Sequence, residues 1–137
     1  MDNKLFEICK EAYKRFPEWS EPKEWFGYVT ENAKRHDDYA PLRVDYEEGN
    51  NIEWIAPLYT SDYLLGGKIP PVIQSDYDKK FKVLQISCNG DGSFSLAYVE
   101  PYDKEFRGEY IVNGDKDLRI ALLKLVIALD DSGDLKG

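Results

Sequence analysis

Apolar residues open the chain at three- and four-residue steps. Leu5, Ile8, Cys9, Ala12, Tyr13 and Phe16 form one stripe, and Lys4, Lys10, Glu11, Lys14 and Arg15 fill the remaining surface. That period is helical, and Pro17 stops the element, so residues 1–16 are expected to form a helix. Ser20 or Glu21 then offers a cap for a second helix over 21–35, with Pro22 tolerated in its first turn. Trp25, Phe26, Val29 and Ala33 mark its expected buried side, and Lys34 and Arg35 suit the negative end of its dipole.

After Asp37-Asp38 the period falls to two. Leu42, Val44 and Tyr46 alternate with Arg43 and Asp45, and beyond the polar run 47–51 Ile52, Trp54 and Ala56 follow. This predicts a β-hairpin over 42–56, turned by Gly49 and Asn50. Residues 57–80 read as an irregular loop holding one short helical piece, Tyr63-Leu64-Leu65, which Gly66-Gly67 and Pro70-Pro71 cut short. A second hairpin over 81–99 is signalled by Asn89-Gly90-Asp91-Gly92 between two alternating runs. Residues 109–112 predict a fifth strand, ended by Asn113-Gly114. Asp115 or Asp117 caps a final helix over 115–130, apolar nearly all round.

Two hairpins plus one strand, with two helices before them and one after, predict an α+β domain. Its mostly antiparallel sheet of about five strands would be packed by those helices. Length and composition agree with one domain over 1–137: the chain has 137 residues, 42% hydrophobic and 14% aromatic, enough for a core and against disorder.

Charge narrows the partners. The formal net charge is −8, and residues 17–50 carry nine acids against four bases. Such a surface repels phosphate backbones and anionic lipid, so no direct nucleic-acid binding and no membrane binding are expected. Two cysteines, Cys9 and Cys88, in a chain with a full core read as reduced thiols, with one disulfide left open. No basic patch followed by an apolar run opens the sequence, so a cytoplasmic location is expected.

The residues for familiar catalytic centres are sparse. His36 is the sole histidine, at an expected helix end beside Lys34-Arg35 and Asp37-Asp38, and no nucleophile elbow accompanies it. Two separated cysteines and one histidine cannot build a structural zinc site, and Asn89–Gly92 lacks the alternating ligands of a calcium loop. Gly66-Gly67-Lys68 has the wrong spacing for a phosphate loop. No catalytic residue, metal site or cofactor is therefore assigned, although 26 acids leave a carboxylate enzyme as an alternative.

One local motif stands out, Pro57-Leu58-Tyr59-Thr60-Ser61-Asp62. Thr60, Ser61 and Asp62 can each bond a nearby backbone N–H and cap the helical piece that follows, while Tyr59 can be buried with its hydroxyl satisfied. The alternative is a ligand site at Tyr59, Thr60 and Asp62. An anionic nucleotide would further require Arg43, Lys68 or Arg107 to converge near Tyr59 or Phe94.

The Pro-x-Tyr-Ser/Thr-x-Asp motif, followed by strands and the Leu/Ala-rich 118–129 segment, resembles the phage ABA sandwich domain proteins. These are small phage and prophage accessory proteins named for an α-β-α layering. The chain departs from that pattern where Gly66-Gly67 and Pro70-Pro71 break the helix after Asp62, and in its longer front half. The resemblance implies a phage origin and no particular activity. Together with the acidity, the abundant aromatics and the lack of catalytic residues, it leads to the expectation of a non-enzymatic phage-type binding protein in the bacterial cytoplasm, one that antagonises host defence by occupying a host protein or sequestering a small signalling molecule. An immunity protein that captures a basic toxin through the acidic 37–53 region is the second reading.

Overall fold

The computed structural model describes residues 4–29, 40–43, 52–74, 79–101 and 108–133. The chain divides into two compact units, residues 1–59 and 60–137.

In the first unit, α1 (Lys4–Arg15) presents Phe6, Cys9 and Ala12 as its buried stripe, the face expected from the spacing. It packs against β3 (Ile52–Pro57). The helix expected over 21–35 is replaced, in its described part, by strand β1 (Glu24–Val29). The run Glu-Trp-Phe-Gly-Tyr-Val explains this: aromatic and β-branched side chains fit a pleated surface, and Gly27 weakens a helix interior. Arg35 and His36 lie outside the described residues.

The hairpin expected over 42–56 is also corrected. β2 (Ala40–Arg43) and β3 do not pair with each other; both pair antiparallel with β1, giving the order β2-β1-β3. A central strand between them satisfies its backbone groups on both sides, which a single hairpin could not do. The β1–β3 register shifts at Phe26/Gly27, where a glycine accommodates a bulge. Aromatic contacts dominate the core: Phe6 meets Phe26 edge-on at 5.2 Å between centroids, and Phe16 stacks on Trp19 at 4.1 Å.

The second unit holds α2 (Ser61–Leu65), β4 (Val72–Gln74), β5 (Phe81–Cys88), β6 (Phe94–Val99), β7 (Gly108–Asp115) and α3 (Leu118–Ser132). The expected 81–99 hairpin forms with Val83 opposite Val99 and Cys88 opposite Phe94. The segment expected to be irregular contributes both α2 and the edge strand β4, which pairs with β5 from Val72↔Val83 to Gln74↔Phe81. Three residues after Pro70-Pro71 are too few to show a period. The fifth expected strand is longer than 109–112, running on through Asn113-Gly114 to Asp115.

The four strands form one antiparallel sheet in the order β4-β5-β6-β7. The described residues thus give an α+β chain with seven strands in two sheets, in place of one sheet of about five strands with two N-terminal helices. α3 packs on β6 and β7, burying Ala121, Leu122, Leu123, Leu125, Val126 and Leu129. Its ends are set chemically. The Asp117 carboxylate accepts the Arg119 N–H, and Gly133, at φ 84°, donates back to the carbonyls of Asp130 and Leu129. Leu96 and Tyr98 of β6 are buried on the sheet face that α3 covers, where Tyr98 meets Tyr110 edge-on and Tyr110 bonds Ser132 of α3.

Candidate functional site

The residues of the Pro57–Asp62 motif are engaged in local structure. Tyr59 is fully buried and its hydroxyl donates to the Trp19 carbonyl at 3.0 Å. Thr60 caps α2, its Oγ1 accepting the Tyr63 N–H at 3.1 Å. Asp62 is exposed in the first turn of α2, and its carbonyl accepts the Gly66 N–H at 2.9 Å. The backbone of Arg43 lies in β2 opposite Glu24, and its side chain is outside the described residues, as is all of Arg107. Lys68 places its ammonium 5.4 Å from the centre of the Tyr63 ring. Phe94 is half-buried at the start of β6. Within the second unit the structure brings Thr60 and Asp62 together in the first turn of α2, as turn-forming groups.

A different surface has the form of a site. Residues directly opposite in an antiparallel sheet share a face, so the pairings place Val72, Phe81, Val83, Gln85 and Ser87 on the same side as Ser95, Ala97 and Val99. This side is turned away from α3. Three of its apolar residues are well exposed: Val72 at 46%, Phe81 at 63% and Ile111 of β7 at 58%.

Two register shifts shape this face. Phe94 pairs with Asp115, Leu96 with Val112 and Tyr98 with Glu109. Ser95 is therefore opposed by the two residues Asn113 and Gly114, and Ala97 by Tyr110 and Ile111. Each is a bulge, and each contains a residue of positive φ, Gly114 at 77° and Tyr110 at 57°. At the second bulge the Tyr110 ring turns to the α3 side while Ile111 lines the open side.

Small residues floor the result. Gln85, Ser87, Ser95, Ala97, Gly108, Ile111 and Asn113 border an open groove of about 240 Å³ running over β6. Gly108 is required by close approach: a Cβ there would stand 3.0 Å from the Ala97 Cβ. Among the described residues, no charged side chain lines the groove. The side chains of Gln85 and Asn113 make no hydrogen bond among the described residues, so each presents a donor pair and an acceptor to solvent. None of these residues is legible as a site from the spacing of the sequence alone. The available signal was Ser95 and Ala97, two small residues at strand spacing between longer neighbours.

Away from the groove, Asp91, Asp117 and Tyr98 are engaged in the fold. Asp91 accepts both the backbone N–H and the hydroxyl of Ser93 in the β5–β6 turn, which holds its carboxyl below the usual range. Asp117 is lowered by its bonds to Arg119, against the opposing effect of burial. Tyr98 is raised far above an ordinary phenol, first by burial and then by neighbouring Tyr110. Cys9 is a buried free thiol and Cys88 an exposed one. Among the described residues, no three His, Cys, Asp or Glu side chains converge to hold a metal ion, and no helix is long and apolar enough to cross a membrane. Comparison with protein-family models, with curated proteins and with solved structures returned no match to this chain.

Proposed function

We propose that the chain is a non-enzymatic binding protein that holds a protein partner on the open face of its four-stranded sheet. One observation carries this reading: Val72 and Phe81, exposed by 46% and 63%, share a sheet face with Ile111, exposed by 58%, which lines a groove that no charged side chain among the described residues borders, in a chain of net charge −8. Apolar side chains grouped this way lose contact with water when a partner covers them, and such patches mark interaction sites more often than scattered exposed residues do. The acids elsewhere then keep the free protein soluble and set the surround of the contact.

The same lining favours a polypeptide over an anionic signalling molecule. A phosphate group needs Lys or Arg forks or a row of backbone N–H groups, and the described residues of the groove offer side-chain amides, hydroxyls and methyl groups. In the setting implied by the resemblance to phage accessory proteins, the partner is a host protein of the bacterial cytoplasm whose action in defence is blocked by occupancy.

Photo-crosslinking tests this. A photoreactive residue is placed at position 81 or 111, with position 124 on exposed Lys124 of α3 as control. Bacterial lysate should yield the same discrete adduct from 81 and 111 and none from 124. Equal labelling at all three positions, or a concentration-dependent rise in Tm with nucleotides in a thermal-shift series, would overturn the reading.

A further inference from the structure

We infer that the groove over β6 receives an uncharged, amide-bearing stretch of the partner's polypeptide, seating an apolar side chain on Ala97 between Gln85 and Ile111. This rests on the protein-binding reading above and specifies what that partner must present.

The argument is one of matching charge and polarity. An ionised group entering this groove would shed water and meet no opposite charge among the described residues, which costs several kcal/mol. A plain hydrocarbon would fare better on Ala97, Val99 and Ile111, but it would cover the uncommitted amides of Gln85 and Asn113 without bonding them. A main-chain segment satisfies both demands, because its N–H and C=O groups match side-chain amides while its side chain reaches the floor. Dimensions agree. Two strand spacings put β5 and β7 about 10 Å apart across the trough. Its 240 Å³ equals about eight water volumes, room for a leucine-sized side chain and the peptide groups beside it.

A second copy of the chain fits less well. Four strands of at most eight residues span at most about 500 Å², short of the roughly 800 Å² per partner of a stable complex. The face therefore favours a segment laid along the trough over a matching sheet.

Amide-resolved NMR titration with two small probes tests the inference. N-acetyl-leucine amide carries the apolar group and two amides, and N-acetyl-leucinate differs by its charge. The amide should shift the signals of Ser95, Ala97, Gly108, Ile111 and Asn113 along one saturating curve. The carboxylate should need at least fivefold more probe for the same response, and inorganic phosphate should leave these signals unmoved. Ile111→Ser and Gln85→Glu, both at exposed positions, should each weaken the response at least threefold with unchanged Tm. Equal or stronger response to the carboxylate or phosphate, or shifts confined to other residues, would overturn the inference. If neither probe shifts the groove while crosslinks at 81 and 111 persist, the inference fails and the protein-binding reading stands. If the amide binds but those crosslinks are absent, the reading fails instead.

Discussion

The Tyr59 hydroxyl donates to the Trp19 carbonyl at 3.0 Å across forty residues of sequence, and the two rings meet edge-on. The bond fastens the segment between α1 and β1 to the end of β3's strand, with Tyr59 wholly buried. Tyr59→Phe keeps the ring contact and removes the bond, so it should cost about 1 kcal/mol of stability. Tyr59→Ala also removes the ring and should cost about 3–5 kcal/mol. Urea unfolding of the three proteins checks the order. A Phe variant as stable as the parent, but deficient in partner crosslinking, would make Tyr59 a contact residue.

The α3 N-terminus gives a pH-dependent prediction. Asp117 accepts the Arg119 backbone N–H at 2.9 Å and pairs with its guanidinium, so its carboxyl sits below the ordinary range when folded. A depressed folded value means that this stabilisation is present above the unfolded pKa, near 3.8, and is lost as pH falls through the folded value. Asp117→Ala should cost about 1 kcal/mol at pH 7 through loss of the cap. Asp117→Asn keeps a capping oxygen and should lose less, with a shallower fall in the urea midpoint between pH 5 and pH 2.

Tyr98 makes the opposite prediction at high pH. Its hydroxyl donates to the Pro70 carbonyl at 2.6 Å, and burial followed by the neighbouring Tyr110 raises its pKa. A raised folded value gives stability that is complete below the unfolded pKa, near 10, and is lost as pH rises toward the folded value. Ultraviolet titration should show tyrosine absorbance that still rises after the exposed residues have ionised, and Tyr98→Phe should reduce that late step by one tyrosine. The same variant should lose about 1 kcal/mol at neutral pH, because the Pro70 carbonyl forfeits its donor.

Local pattern revealed what local chemistry decides. The α1 stripe, the Asn89–Gly92 hairpin and the α3 cap each depend on residues within a few positions of one another, and each formed where the spacing put it. The 21–35 segment misled because Trp25, Phe26 and Val29 fit a helical face as readily as a strand; only Gly27 and the aromatic density argued for β1. That β1 would separate β2 from β3 is a matter of long-range pairing, invisible between neighbours. The groove was hidden for a related reason. Asn113-Gly114 reads as the end of a strand, whereas here it is a bulge inside β7, and only pairing with β6 reveals that Ser95 and Ala97 each face two residues. Burial of Lys82 was likewise unreadable: alternation along β5 assigns it to the α3 side opposite Ile73, where a charged residue is not expected.

Gly108 and Ile111 separate the fold of the open face from its use. A methyl group at 108 would approach the Ala97 Cβ to 3.0 Å and the Tyr98 carbonyl to 3.4 Å, and neither neighbour sits on a flexible tip. Gly108→Ala must therefore push β7 from β6 and should cost about 1–3 kcal/mol, with line broadening along both strands. Ile111 is 58% exposed and buries little against its own unit. Ile111→Ser should change stability by no more than about 0.5 kcal/mol while lowering partner crosslinking from position 81 at least fivefold. If Ile111→Ser instead destabilised the protein as much as Gly108→Ala, the exposed isoleucine would be holding the bulge, and the face would lose its claim to be a contact surface.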